Sequence, residues 1–212
     1  MKIRYFGHAC FEILSNKGLK VITDPYTKVG YELPQGLTAD ILTVSHGHFD
    51  HNFTQAVASR YIVSDAKSYL IEDAECKGIF SYHDPKNGAL RGENIIYKVQ
   101  IDGFSLCHLG DIGEECSETL AKELGEVDVL FIPIGGTYTI DALGAKKYID
   151  RLQPKVVIPM HYKPEDGILD IAPIDTFLGL YSSNDIQFIK EGVLEINKQT
   201  QGIFYLERAK TI

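Results

Sequence analysis

Ile41-Leu42-Thr43-Val44-Ser45-His46-Gly47-His48-Phe49-Asp50-His51 decides how this chain is read: an apolar run followed by three imidazoles and one carboxylate within six residues. The run reads as a buried strand, and the glycine and aspartate after it mark its end. Residues two apart in an extended segment project to the same side, so His46 and His48 can share one cation. The turn that follows carries Asp50 and His51 towards a second, neighbouring position. Imidazole and carboxylate donors without thiolates suit zinc first, and the same set serves manganese or iron. A solvated polar loop is the bland alternative, and it is disfavoured because crowding rings that repel once protonated brings no folding benefit.

Outward from this stretch, the chain alternates short strands with fewer helices. Ile3, Tyr5, Ala9, Phe11 and Ile13 alternate with Lys2, Arg4, His8 and Glu12, the period of a half-buried strand. Asn16-Lys17-Gly18 turns it back into Leu19 to Thr23, giving a hairpin or meander. Further strands are expected at Tyr61 to Ser64, Gly78 to Tyr82, Ile95 to Ile101, Phe104 to Leu109, Asp128 to Pro133, Val156 to Pro159, Ile186 to Ile189, Val193 to Ile196 and Ile203 to Leu206. Asp102-Gly103 joins two of these as a tight hairpin turn. Helices are expected over Phe53 to Ser59, Lys67 to Asp73, Ser117 to Leu124, Asp141 to Leu152 and Pro173 to Tyr181, with Ser117 and Asp141 as caps. This succession suggests two packed sheets with helices outside them, in one domain spanning residues 1 to 212. Asp111 and His161 each follow a strand, where ligands from separate segments can meet at one sheet edge.

The 212 residues are 44% hydrophobic and 24% charged, proportions of an ordinary globular protein large enough to hold a core without disulfides. A formal charge of -8 makes nucleic acid and anionic membranes poor partners. Cys10, Cys76, Cys107 and Cys116 show no C-x-x-C pairing and suit reduced thiols, so a cytoplasmic setting is expected. The first fourteen residues carry scattered charges rather than the apolar core of a leader, and no apolar run reaches the length of a membrane span. Phosphate-loop, dinucleotide-binding and serine-hydrolase motifs are absent. A small-molecule substrate is the expected partner; the sequence sets no oligomeric state.

The H-x-H-x-D-H segment after a hydrophobic strand resembles the metallo-β-lactamase superfamily, and the likeness continues along nearly the whole chain. Tyr5-Phe6-Gly7-His8-Ala9-Cys10-Phe11, Thr23-Asp24-Pro25, His108-Leu109-Gly110-Asp111, Pro133-Ile134-Gly135-Gly136 and Pro154-Lys155-Val156-Val157-Ile158-Pro159-Met160-His161-Tyr162 look like the branch containing ascorbate-phosphate lactonase-like proteins. The resemblance implies an α/β, four-layer αββα sandwich with a binuclear metal site along one edge of the paired sheets. It assigns His46, His48 and His83 to the first ion, Asp50, His51 and His161 to the second, and Asp111 to both. His83 is preferred to His108 as third ligand because Ser81-Tyr82-His83-Asp84 lies in the loop before the relevant hairpin. His108 then falls behind the site or into the core.

The activity this implies is hydrolysis of an ester, lactone, amide or phosphodiester of a small metabolite by a hydroxide shared between two divalent ions. Asp50 orients that nucleophile and accepts its proton, and Asp111 helps set the spacing of the ions. His8 hydrogen-bonds substrate or a metal ligand, and Asp24 organises a loop or supports a ligand from behind. Tyr138, Arg91 and Lys163 are candidate substrate contacts. The superfamily's true β-lactamases place a thiolate where Asp111 stands, which disfavours antibiotic hydrolysis. Lactonase and phosphodiesterase chemistry both stay open. Two other classes remain: a metal-binding protein without turnover, and a di-iron redox protein, whose relatives put Glu at the place of His48 and add a flavin domain.

Overall fold

The computed structural model describes residues 1–190 and 192–211. The opening alternation forms a three-stranded meander, β1 (Lys2–Gly7), β2 (Cys10–Leu14) and β3 (Lys20–Thr23). The alternating pattern runs straight through a turn at Gly7 and His8, which stand at φ +110° and +54° and reverse the chain. Next come β4 (Leu37–Thr43), β5 (Val57–Val63), β6 (Ser68–Ile71), β7 (Ala74–Tyr82), β8 (Glu93–Ile101) and β9 (Phe104–His108). The second half supplies α1 (Glu118–Leu124), β10 (Val129–Pro133), α2 (Ala142–Leu152), β11 (Val156–Met160), α3 (Asp175–Leu178), β12 (Ile186–Ile189), β13 (Val193–Glu195) and β14 (Gly202–Leu206).

These strands build two mixed sheets, ordered β13-β1-β2-β3-β4-β5 and β12-β14-β11-β10-β9-β8-β7-β6. Ile3, Tyr5, Phe11, Ile13, Val21 and Ile41 face the second sheet and share one continuous core with its Tyr97, Val99, Leu106 and Phe131. The intervening Phe6, Cys10, Ile22 and Leu42 form a separate cluster on the outer face, covered by Tyr26 and Val29 of the loop after β3. Helices α1 and α2 bury Leu120, Leu124, Ala145 and Tyr148 in the main core. Ser117 Oγ caps α1 by accepting the Leu120 amide at 3.1 Å, and Asp141 Oδ1 caps α2 by accepting that of Gly144 at 2.8 Å. The result is the pair of packed sheets expected from the succession of elements, with helices against the second.

Two expected helices are strands instead. Within Phe53 to Ser59 only Thr54–Ala56 makes a single 3₁₀ turn, and Val57–Val63 pairs in parallel with β4, from Leu37↔Val57 to Thr43↔Val63. Within Lys67 to Asp73 the chain forms β6, then turns at Glu72, φ +54°, to pair Ile71 with Ala74 of β7. In both places a window of seven residues is too short to separate the two periods, and pairing with a neighbouring strand outweighs weak helix propensity. Among the described residues no helix is long and apolar enough to cross a membrane.

Candidate metal centre

Strand ends of both sheets meet at one edge. β4 leads into Val44-Ser45-His46, β7 into His83, β9 into Leu109-Gly110-Asp111 and β11 into His161, while the β1–β2 turn delivers His8. The candidate ligands after β4, β9 and β11 thus lie beyond the carboxyl ends of parallel-paired strands, the usual place for sites in mixed α/β sheets. Two turns are tight enough to limit the sequence. His161 adopts φ +51° and its amide donates to the His8 carbonyl at 2.9 Å, so each of these histidines fixes the other's backbone. Gly110 stands at φ +56°, and a Cβ there would come within 2.7 Å of Ser45 Cβ and strike Asn94 Oδ1.

Three sets of ligand atoms lie close together: His46, His48 and His83; His8, Asp50, His51 and His161; and His46, His51 and Asp111, each set within 4.8 Å. The Asp111 carboxylate joins them. Its Oδ2 lies 3.3 Å from His83 Nε2, 3.2 Å from His161 Nε2 and 3.9 Å from His46 Nε2, and its Oδ1 lies 3.2 Å from His51 Nε2.

Hydrogen bonds behind the rings decide which nitrogen is free. Asp24 Oδ2 accepts from His51 Nδ1 at 2.9 Å and from the Ser45 hydroxyl at 2.6 Å, and Asp24 Oδ1 accepts the Ser45 amide at 2.8 Å. Since the hydroxyl's only hydrogen goes to Asp24, its oxygen accepts from His46 Nδ1, 2.9 Å away. His83 Nδ1 donates to the Tyr138 carbonyl at 3.1 Å. Three rings are therefore held with Nδ1 protonated and Nε2 presented towards Asp111.

This arrangement fits a cation. His46 Nε2, His51 Nε2, Asp111 Oδ1 and both His161 nitrogens are buried without a hydrogen-bond partner, because the approaches near 3.2 Å are not aligned for hydrogen bonds. Ring nitrogens and a carboxylate oxygen buried together without hydrogen-bond partners are costly unless a positive charge sits among them. Burial opposes ionisation of Asp111, but His161 and His51 outweigh it and hold its carboxyl well below the usual range. Burial likewise opposes charge on His51, yet Asp111 and Asp24 raise it well above an ordinary imidazole. A proton on His51 thus supplies positive charge where a metal ion would. Burial and His51 lower His46 to about 3, and burial and His161 lower His8 to about 4.

His8 is buried, its Nε2 lies 3.2 Å from Asp50 Oδ2, and its ring packs 4.1 Å from that of His161. His108 is not brought into the centre: its Nε2 donates to the Ala9 carbonyl at 2.9 Å and its Nδ1 accepts the Gly110 amide at 3.2 Å, so both nitrogens are committed. Arg91 lines a cleft of about 750 Å³ with His46, His48, Glu93, Ile62 and Ile95. Its guanidinium donates to the Thr137 carbonyl at 2.7 Å and lies 5.7 Å from the Tyr138 ring centroid, so both candidate contacts sit at the rim of the centre. Lys163, by contrast, is exposed and lines a small crevice with His8 and Tyr162 rather than the cleft. A larger hollow of about 940 Å³ near Ile149, Tyr181 and Gln187 has no histidine in its lining.

Sequence reasoning missed Asn94. Its Nδ2 donates to Ser81 Oγ at 2.7 Å and to the Leu109 carbonyl at 2.9 Å, and its Oδ1 accepts the Asp111 amide at 2.9 Å. The available signal was an asparagine directly before the apolar pair Ile95-Ile96 of β8, in register with the buried Ile96.

A family model described as a β-lactamase superfamily domain matches residues 2–161. The chain belongs to the metallo-β-lactamase superfamily. Superfamily relatives named UPF0173 metal-dependent hydrolase include one from Carboxydothermus hydrogenoformans, 30% identical over 197 residues, covering 76% of this chain and 84% of the relative. Another, from Thermococcus onnurineus, is 28% identical over 191 residues with the same coverage. A crystal structure from Thermotoga maritima, of the same superfamily, is 33% identical with a TM-score of 0.80 and covers 96% of this chain and 97% of its own.

Proposed function

We propose that this protein is a hydrolase working with two divalent cations, one held by His46, His48 and His83, the other by Asp50, His51 and His161, with Asp111 shared. The observation that carries the reading is the Asp111 carboxylate, within 3.9 Å of four imidazoles drawn from both sets. Relatives named metal-dependent hydrolases, and the Thermotoga maritima protein's provisional description as Zn-dependent, support hydrolysis and make zinc the first choice over manganese or iron. When bound, such ions bring the pKa of water towards neutrality and polarise a carbonyl or phosphoryl oxygen.

The chain's own groups do the rest. Burial opposes ionisation of Asp50, but the His8 hydrogen bond and the His51 ring keep its carboxyl below the usual range, so it is available to take a proton from an attacking water. His8, neutral at pH 7, fixes the Asp50 carboxylate through Nε2. The cleft beside His46 and His48 receives a small ester, lactone or phosphodiester, with Arg91 and Tyr138 along its rim. Four buried free thiols support a cytoplasmic setting.

The test is metal analysis joined to turnover on a panel of lactones and bis(p-nitrophenyl) phosphate. Hydrolysis abolished by chelation and restored by zinc or manganese supports the proposal. Bound metal with no turnover of any panel member points to a binding protein, and reversible electron uptake points to di-iron redox chemistry; either outcome overturns it.

A further inference from the structure

His8 sits in the left-handed region at φ +54°, a strained conformation for a non-glycine residue that needs holding from outside. Its carbonyl accepts the His161 amide at 2.9 Å and the Tyr5 hydroxyl at 3.3 Å. Its amide donates to one group, the Tyr31 hydroxyl at 3.1 Å. Tyr31 is in turn covered by the Arg208 guanidinium, 3.8 Å from the ring centroid. Arg208 is fixed by a two-pronged pair with Asp166, Nη1 to Oδ1 at 3.2 Å and Nη2 to Oδ2 at 2.6 Å, and its side chain is only 18% exposed. The next residue is tied down as well, since the Ala209 amide donates to the Tyr5 carbonyl at 2.8 Å.

Gly7 explains how these segments come so close. A Cβ at Gly7 would lie 2.7 Å from Tyr31 Cε2 and 2.8 Å from Arg208 Cδ, so the glycine before His8 serves this stack as well as the turn. The stack is short and partly withdrawn from water, conditions under which a guanidinium over a phenol ring is strongest. Asp166 and Arg208 lie beyond residues 2–161, the part matched by the family model.

The geometry points to Tyr31 and Arg208 as positioning residues: the segment after β14 clamps Tyr31, and Tyr31 holds His8 against Asp50. The C-terminal strap is therefore a working part of the centre, acting through a backbone amide. The link to catalysis rests on the reading of Asp50 given above, but the structural link does not.

The test uses the metal-free 212-residue chain with Tyr31→Phe, Arg208→Ala and Arg208→Lys, reading amide exchange of His8 by NMR beside that of Ile13 and Val21 in the same sheet. Tyr31→Phe keeps the ring under Arg208 and removes only the acceptor. The expected result is at least tenfold faster exchange at His8 in Tyr31→Phe and Arg208→Ala, no change at Ile13 and Val21, and partial recovery in Arg208→Lys. Exchange at His8 within twofold of the parent in both variants overturns the inference. So does a rise matched at Ile13 and Val21, which would mean general loosening. On any substrate the parent turns over, kcat is expected to fall about tenfold with KM held. If the parent turns over nothing, the hydrolase proposal fails while the exchange data still decide this one.

Discussion

Asp24 and His51 are both fully buried, and Asp24 Oδ2 accepts the His51 Nδ1 proton at 2.9 Å. The same carboxylate holds Ser45, which holds His46, so one residue orients a ring in each of the two proposed ligand sets. Asp24 itself stands at φ +36°, backbone strain that the surrounding hydrogen bonds must offset.

Asp24→Asn replaces an acceptor of three hydrogen bonds by a group with one acceptor and one donor face, so one ring loses its orientation. Losses of this kind weaken metal affinity about 10- to 100-fold. Competition with a chromophoric chelator measures it, and affinity within twofold of the parent would show that the Asp24 network is incidental.

Asn94 braces Asp111 from behind, and its amide group satisfies three partners at once. Asn94→Ala leaves the Asp111 amide buried and unpaired, and a cost of about 2–3 kcal/mol is expected. Urea unfolding of the metal-free protein checks the magnitude. A midpoint equal to the parent's would mean that water replaces the side chain without loss.

Much of this centre could be read in advance because its donors are rare residue types standing at strand ends. His46, His48, Asp50 and His51 share one short segment, and Asp111 and His161 each follow an apolar run. The supporting groups were hidden for a physical reason: Asn94 acts on Leu109 and Asp111, 15 and 17 positions away, and Tyr31 on His8, 23 positions away. No local period records such contacts. The same limit produced the two mistaken helices, since the parallel pairing of β5 with β4 is set by a neighbour rather than by its own residues.

His83 and His108 are separable by experiment. His83 presents Nε2 to Asp111 at 3.3 Å, whereas both His108 nitrogens are bonded to backbone. His83→Ala is expected to lower metal content by about one ion per chain with the fold retained. His108→Ala is expected to keep its metal and lose about 1–3 kcal/mol of stability by leaving the buried Gly110 amide without its acceptor, while the Ala9 carbonyl keeps the Thr23 hydroxyl. Elemental analysis and thermal melting read both, and the reverse pattern would move the ligand assignment to His108.

Acid is expected to destabilise the metal-free protein before ordinary carboxylates titrate. His8 and His46 are lowered in the fold to about 4 and about 3, so the unfolded chain binds protons first as pH falls. Their contribution is fully present above about pH 6.5 and is lost towards those lower values, at about 1.4 kcal/mol per pH unit for each ring. Denaturant midpoints measured between pH 6 and 4.5, below the range in which the raised His51 offsets one of these rings, should fall steadily. In His8→Gln the slope should be reduced by up to one proton, and an unchanged slope would mean that His8 does not titrate as its burial requires.

Metal uptake should release a proton whose source is His51. In the metal-free fold, Asp111 and Asp24 overcome burial and raise this ring well above its ordinary value, so at pH 7 it carries both protons. A cation bound at Nε2 must displace one of them, while Nδ1 keeps its bond to Asp24. His46 and His8 are already neutral at that pH and contribute none. Calorimetric titration with zinc in two buffers of different ionisation enthalpy should therefore show about one proton per chain released from His51 at pH 7, in addition to any given up by metal-held water. The same titration on Asp24→Asn should show less, because with one of its two raising partners neutralised His51 is partly deprotonated beforehand. Zinc binding with no buffer dependence would mean that His51 is not the group the ion displaces a proton from, and the shared role of Asp111 would lose its electrostatic basis.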